Sequence, residues 1–208
     1  MQNLIDKIDS LKSSEISKVV QSRIYEFSKI KETDGDVIFR ELCFCIMTAN
    51  CAAEKCLEIH EKIGDKFNSL SQVKLVKMFK EYGYRFPNIR SQFIIEARDF
   101  KAELEYKIKS YSNEDNLREW LVKNIKGLGY KEASHFLRNI GFDHFAIIDF
   151  HIIDLLIKYG LIKKPKTLSK RNYIEIEEIL KKIANKLHLS LAELDLYLWY
   201  LETGKILK

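Results

Sequence analysis

The stretch Asn124-Ile125-Lys126-Gly127-Leu128-Gly129-Tyr130-Lys131-Glu132-Ala133 decides the fold of this chain. Two glycines separated by one apolar residue predict a tight hairpin, because glycine adopts backbone conformations that other residues avoid. Such a hairpin leaves backbone N–H groups exposed at the start of the following helix, and these groups suit a phosphate oxygen. The stretch therefore predicts two helices joined by a hairpin, with Gly127 and Gly129 forming an anion-binding face.

Two side chains that can carry chemistry follow the hairpin. Lys131 stands in the first turn of the next helix, where the positive helix end favours a neutral, nucleophilic amine. Asp149, in the run Ile147-Ile148-Asp149-Phe150-His151, is placed to cap another helix, and a carboxylate held there can stabilise positive charge on a reacting group. A surface lysine and an ordinary N-cap explain the same positions, so the adjoining hairpin is what favours the chemical interpretation of Lys131.

Composition indicates an ordinary soluble globular chain. Its 208 residues are 46% hydrophobic and 31% charged, which argues against disorder. The net charge of +5 is compatible with nucleic acid without demonstrating it. The run 158–171 holds six basic residues and no acidic one, which suits either a phosphate-facing edge or a solvated turn between helices.

The sequence also excludes some classes of protein. No apolar stretch approaches the length of a membrane span, and the N-terminus carries charges where a secretory signal needs an apolar run. We therefore expect a cytoplasmic, intracellular protein that makes no membrane contact. The sequence has four cysteines, Cys43, Cys45, Cys51 and Cys56. Their spacing matches no zinc-binding pattern, and they are predicted to be structural thiols.

Helix-period patterns run through most of the chain, and alternating strand patterns are missing, so the predicted class is all-α. After two amphipathic N-terminal segments, helices are predicted over 37–48, about 52–63, 71–82, about 87–108, 131–139, 149–159, 169–187 and 190–203. The sequence has no internal repeat and no obvious linker. We therefore expect one unit over 1–208, with a helix-hairpin-helix motif at about 114–140, built as two helical lobes with a central DNA-binding cleft.

The hairpin, the lysine and the aspartate together resemble the helix-hairpin-helix superfamily of base-excision DNA glycosylases. More specifically, the chain is similar to the type 2 8-oxoguanine DNA glycosylase/AP lyases of archaea and thermophilic bacteria. This resemblance extends over nearly the whole chain, and it is strongest in four blocks, at 41–46, 124–139, 194–200 and 203–208. It implies a bifunctional repair enzyme that excises 8-oxoguanine from duplex DNA and nicks the abasic site by β-elimination.

By the same resemblance, Lys131 is the nucleophile and Asp149 the essential carboxylate. The damaged nucleotide first leaves the duplex, since its glycosidic carbon is inaccessible within the base stack. Lys131 then displaces the base and forms a Schiff base, from which the strand is cut on the 3′ side. The implied partner is double-stranded DNA containing 8-oxoguanine or an abasic site, and the implied state is a monomer.

The resemblance also implies roles for further residues, and each of these residues has a simpler structural explanation as well. Phe86 and Trp199 sandwich the extruded purine, although both also fit as core aromatics. The carboxylate of the C-terminal Lys208 reads the extra ring N–H of 8-oxoguanine, although a chain end is commonly frayed. Asn50 fills the gap left by the base, or simply follows a helix. His151 donates to a DNA phosphate, or is a partly buried polar residue on an amphipathic helix.

The implied chemistry needs no metal or redox cofactor. The iron–sulfur loop of endonuclease III relatives requires four C-terminal cysteines, and no cysteine follows Cys56 in this sequence. Gly127 and Gly129 are expected to hold the phosphate 3′ to the lesion. Superfamily hairpins often ligate a monovalent cation through backbone carbonyls, and the resemblance extends this option to the hairpin here.

Two rival functions stay open at this point. The first is a helix-hairpin-helix glycosylase for another lesion, such as an oxidised pyrimidine or a mismatched adenine. The second is a non-catalytic DNA-binding module, because the hairpin alone serves as a sequence-neutral grip on the DNA backbone. The joint presence of Lys131 and Asp149 argues against the second, since phosphate binding needs neither residue. A basic structural protein without a DNA role is a more distant third.

Overall fold

The computed structural model describes residues 1–110 and 114–207, and all regular structure within those ranges is helical. The α-helices are α1 (Gln2–Lys12), α2 (Ile16–Ile30), α3 (Gly35–Thr48), α4 (Ala53–Ile63), α5 (Gln72–Glu81), α6 (Pro87–Ala97), α7 (Lys101–Ser110), α8 (Glu114–Asn124), α9 (Tyr130–Asn139), α10 (Phe150–Lys158), α11 (Lys170–Leu187) and α12 (Leu191–Thr203). Two short 3-10 helices, Gly64–Asn68 and Arg98–Phe100, accompany them. The predicted all-α class is confirmed.

The chain divides into two compact units. The continuous unit is Ile30–Phe136, and the split unit combines Met1–Lys29 with Leu137–Lys208. The boundary between the two falls inside α9, so the helix that follows the hairpin begins in one unit and ends in the other. The sequence predicts two helical lobes. That residues 1–208 work as a single glycosylase unit stays a prediction.

The continuous unit is organised around α3. Every residue from Glu41 to Thr48 is buried, as expected for a helix that is apolar nearly all round. The helix begins where the side chain of Asp34 accepts hydrogen bonds from the backbone N–H groups of Asp36 and Val37. Because α3 packs against α4, α6 and α7, it fixes the segments that carry several of the predicted site residues.

The split unit packs α1, α10, α11 and α12 together. The last helix starts with a capping box, in which Ser190 accepts from the backbone of Glu193 and Glu193 accepts from the backbone of Ser190. The buried Arg138 forms an ion pair with Asp195 at 3.4 Å, and its guanidinium lies 4.7 Å from the centroid of the Phe27 ring. These contacts attach the end of α9 to α2 and α12 of the split unit.

One predicted helix differs from the structure. The segment expected to run as a single helix over about 87–108 is interrupted by the 3-10 turn Arg98–Phe100. At this turn, Arg98 donates from Nε and Nη2 to the carbonyl oxygen of Phe67, at 3.0 and 2.6 Å. The partner lies 31 residues away, so helical periodicity gives no sign of it. Among the described helices, none is both long and apolar enough to cross a membrane.

Candidate active site

The hairpin has the backbone that its glycines predict. It connects the end of α8 at Asn124 to the start of α9 at Tyr130. Gly127 has φ +88°, and a Cβ at this position would lie 2.6 Å from Cδ2 of Phe93. Only glycine fits such a conformation in so little space. The turn between the two helices is therefore set by Gly127.

The Gly129 amide, predicted to face a phosphate, already has an acceptor. Its N–H donates to Oε2 of Glu132 at 3.1 Å. Glu132 stands three residues after Gly129, the spacing from which a glutamate reaches back to the N-cap of its own helix. That spacing is a signal that could have identified Glu132 from the sequence. A phosphate oxygen bound by this amide would have to displace the carboxylate.

Lys131 is the second residue of α9 and is half-buried. Its ammonium is close enough to the Cys56 thiol to act on it electrostatically. Burial raises the pKa of Cys56, and the nearby Cys51 thiol adds to this increase, while the charge of Lys131 opposes it. Cys56 also donates from Sγ to the carbonyl oxygen of Met47 at 3.4 Å.

Asn50 belongs to the Asn50 turn, which we define as residues 49–52 between α3 and α4. Asn50 is exposed and has φ +58°, an uncommon backbone conformation for a residue other than glycine. It is thus outside α3, and its side chain is accessible. Its carbonyl oxygen accepts from Nη1 of Arg85 at 3.3 Å, and that of Ala49 accepts from Nη2 of Arg90 at 3.1 Å.

Phe86 is not a buried core aromatic. It is half-buried at the N-cap of α6, immediately before Pro87, which occupies the first helical turn as predicted. Two guanidinium groups lie over its ring, that of Arg85 at 4.9 Å and that of Arg90 at 5.7 Å from the centroid. The continuous unit therefore links Phe86 to the Asn50 turn through the same two arginines.

Asp149 caps α10 in the split unit. Its Oδ1 accepts from the backbone N–H of Ile152 at 3.0 Å. Within the described part of the chain the carboxylate makes this cap through one oxygen only. The N-cap that the sequence predicts for Asp149 is observed, and it fixes the direction of the carboxylate.

Two residues of α11 bind the segment that precedes Asp149, and no sequence motif marks either of them. Oε1 of Glu177 accepts from the backbone N–H of Ala146 at 2.9 Å. The Tyr173 hydroxyl donates to the Ala146 carbonyl at 2.6 Å and accepts from the N–H of Ile148 at 3.2 Å. Both side chains are buried. They bind backbone groups of the non-helical segment that leads into Asp149, and buried backbone groups of this kind need such partners.

The split unit brings His151 and Trp199 together. Their ring centroids are 5.2 Å apart, and the ring planes cross at 87°. Trp199 is half-buried on α12, and its Nε1 is shielded from solvent with no acceptor in the described chain. The next residue before His151, Phe150, is 66% exposed. His151 is therefore a neighbour of the predicted base-stacking ring.

Lys208 lies outside the described residues, and its predicted role stays a prediction. The lysines at 163, 164 and 166 in the basic run are exposed, and Arg171 pairs with Glu175 at 2.8 Å. The four cysteines are free thiols, of which Cys51 alone is partly exposed. Within 1–110 and 114–207, no cluster of three or more His, Cys, Asp or Glu side chains is arranged to hold a metal ion.

Comparison with known proteins places the chain in a family. Residues 20–189 match the family model for 8-oxoguanine DNA glycosylase. The 8-oxoguanine DNA glycosylase/AP lyase of Korarchaeum cryptofilum is 49% identical over 209 residues, covering 100% of this chain and 99% of the relative. The corresponding protein of Methanocaldococcus jannaschii is 50% identical over 206 residues, covering 99% of each chain.

Solved structures agree with this assignment. The crystal structure of the Methanocaldococcus jannaschii 8-oxoguanine glycosylase/lyase in complex with a 15mer DNA containing 8-oxoguanine matches with a TM-score of 0.96 at 50% identity, covering 99% of both chains. The 8-oxoguanine DNA glycosylase of Thermotoga maritima matches with a TM-score of 0.94 at 39% identity, covering 100% of this chain and 99% of that one. The chain therefore belongs to the 8-oxoguanine DNA glycosylase family.

Proposed function

We propose that this protein removes 8-oxoguanine from duplex DNA and then cleaves the resulting abasic site, with Lys131 as the nucleophile. The main support for this proposal is the position of Lys131 next to the hairpin. Lys131 occupies the first turn of the helix that directly follows the Gly127 hairpin. A DNA backbone held by the hairpin would bring its sugar to the amine.

The reaction follows from these groups. The damaged nucleotide leaves the base stack, and the neutral amine of Lys131 attacks C1′ of its deoxyribose. The base departs with the electron pair of the glycosidic bond and takes up a proton. The carboxylate of Asp149 stabilises the positive charge that develops on the sugar and then assists proton transfer at the nitrogen. Opening of the sugar ring gives a Schiff base, and loss of a proton from C2′ expels the 3′ phosphate.

Recognition of the lesion uses a second group of residues. The rings of Phe86 and Trp199 provide flat faces for the extruded purine, since a purine stacks well on aromatic side chains. The terminal carboxylate of Lys208 accepts a hydrogen bond from the ring N–H that distinguishes 8-oxoguanine from guanine. Asn50, exposed on its turn, occupies the gap and satisfies the orphaned partner base.

Contacts to the DNA backbone complete the site. The amides of Gly127 and Gly129 bind the phosphate 3′ to the lesion, after the Glu132 carboxylate leaves Gly129, and His151 donates to a phosphate. The protein acts as a monomer on duplex DNA inside the cell, without a metal or redox cofactor. A monovalent cation at the hairpin carbonyls would strengthen the phosphate contact, because its charge lies next to the anion.

Borohydride trapping on an 8-oxoguanine:cytosine duplex tests this function. Wild type should give a covalent protein–DNA adduct, whereas Lys131→Gln should bind the duplex without forming one, and an undamaged duplex should give none. An adduct formed by Lys131→Gln would exclude Lys131 as the nucleophile. If wild type binds tightly and forms no adduct, another lesion or a non-catalytic backbone grip becomes the better interpretation.

A further inference from the structure

Arg90, on α6, contacts three parts of the continuous unit that carry predicted DNA contacts. These parts are the Asn50 turn, the residue Phe86 and the hairpin at Gly127. Arg90 was not among the residues that the sequence indicated, since nothing in its neighbourhood forms a motif. Its contacts are specific to the planar, multiply donating guanidinium group.

The first two contacts join the Asn50 turn to the hairpin. Nη2 of Arg90 donates to the carbonyl oxygen of Ala49 at 3.1 Å, in a partly buried setting. Nη1 lies beside the hairpin, 3.2 Å from the point that a Cβ on Gly127 would occupy. One guanidinium thus spans from the residue preceding Asn50 to the glycine that sets the hairpin.

The third contact involves aromatic rings. The Arg90 guanidinium carbon lies 5.7 Å from the Phe86 centroid and 5.6 Å from the Phe93 centroid. Guanidinium groups at such distances are attracted to ring faces. The backbone N–H of Arg90 also donates to the carbonyl oxygen of Phe86 at 3.2 Å. The backbone bond belongs to the first turn of α6, so the guanidinium contact is the part that a substitution of Arg90 removes.

Neighbouring residues bind carbonyl groups at the end of α3 and in the Asn50 turn. The Tyr84 hydroxyl donates to the carbonyl oxygen of Met47 at 2.7 Å in a buried setting, and Arg85 donates to that of Asn50 at 3.3 Å. Carbonyls at the end of α3 are thus satisfied by side chains from the segment 84–90. The end of a helix needs such partners, because its last carbonyls have none within the helix.

We propose that Arg90 is a positioning residue that holds the Asn50 turn, Phe86 and the hairpin in one geometry while a base is extruded. This inference rests on the proposed function. Extrusion requires three events at once, namely phosphate anchoring, filling of the gap and stacking of the flipped base. A preformed abasic site has no base to flip or stack, so its cleavage depends much less on the alignment. Loss of Arg90 should therefore impair excision of 8-oxoguanine more than cleavage of abasic DNA.

Single-turnover rates on two duplexes test the inference, one with 8-oxoguanine opposite cytosine and one with a preformed abasic site opposite cytosine. For Arg90→Lys and Arg90→Gln, the excision rate should fall by between about tenfold and a hundredfold, the loss that misplacement by about 1 Å brings. Abasic-site cleavage should change by less than about threefold on the same scale. The ratio of the two rates is independent of the folded fraction in the preparation, so a loss of stability alone would leave it unchanged.

Arg98→Gln provides the matched control. Arg98 is also an arginine of the continuous unit that binds a backbone carbonyl, that of Phe67. Within the described chain its hydrogen bonds do not reach the Asn50 turn, Phe86 or the hairpin. Its rate ratio should equal that of wild type. Equal losses on both substrates in the Arg90 variants would overturn the inference. A wild-type rate ratio in Arg90→Lys would also overturn it, because a positive charge at this position would then be sufficient. A wild type inactive on 8-oxoguanine would instead refute the proposed function.

Discussion

The imidazole of His151 and the indole of Trp199 form a T-shaped pair, with centroids 5.2 Å apart and planes crossing at 87°. Edge-to-face pairs of this kind are favourable beyond the area they bury. His151 follows Asp149 closely in α10, and Trp199 lies in α12, which packs against α10. The predicted catalytic carboxylate and the predicted stacking ring are therefore held by one pair of helices in the split unit.

Substitution at His151 distinguishes ring support from phosphate binding. His151→Phe retains an aromatic edge against Trp199, so we expect it to keep the wild-type preference for lesion over undamaged duplex. His151→Ala should lose about 0.5–1.5 kcal/mol of that preference, the typical contribution of an aromatic pair. Equilibrium binding to both duplexes measures this. Equal loss in the two variants on both duplexes would instead support the predicted donation to a phosphate.

Glu132→Ala should strengthen binding to undamaged duplex at low salt. The substitution frees the Gly129 N–H, whose acceptor is Oε2 of Glu132, and removes a negative charge beside the proposed phosphate site. Loss of the cap should also lower the free energy of unfolding by about 0.5–2 kcal/mol. Fluorescence anisotropy at several salt concentrations gives the affinity. Glu103→Ala, in the first turn of α7, is the control for charge, and an equal gain there would mean that the hairpin amide plays no part.

Gly127→Ala should be much more damaging than Gly129→Ala. At Gly127 the added Cβ meets Phe93 at 2.6 Å and the backbone has φ +88°, so strain of about 1–3 kcal/mol is expected. At Gly129 the nearest atom is the flexible end of Glu132 at 3.3 Å, which can move. Thermal unfolding and duplex affinity should both fall further for Gly127→Ala. Equal effects would contradict the role assigned to the Gly127 backbone.

Tyr173→Phe should slow both base excision and abasic-site cleavage. The hydroxyl serves the Ala146 carbonyl and the Ile148 N–H, so its loss leaves buried backbone groups unpaired at a cost of about 1–3 kcal/mol and loosens the segment that ends in Asp149. Tyr84→Phe removes a buried hydroxyl from the continuous unit with a similar effect on stability. It should leave abasic-site cleavage near wild type. Unchanged rates for Tyr173→Phe, measured well below its unfolding temperature, would refute the positioning of Asp149 by Tyr173.

The sequence by itself determined the all-α class, the family and the local geometry around the site. The cap at Asp149 formed where it was predicted, and the hairpin turns at Gly127. Each of these features depends on a side chain and a backbone group within about three residues, or on the conformational freedom of a single residue. Such determinants are visible in the order of residues alone.

Tertiary structure alone decided the contacts that orient the candidate site residues. Arg90 reaches Ala49 across 41 residues, and Tyr173 reaches Ala146 across 27. The break in the helix at Arg98 likewise coincides with a contact to a distant carbonyl. In each case a side chain satisfies a backbone group that local structure leaves without a partner, and the fold must first bring the two together. Sequence periodicity and residue spacing do not indicate which distant residues will be in contact, so these residues can be identified only from the folded structure.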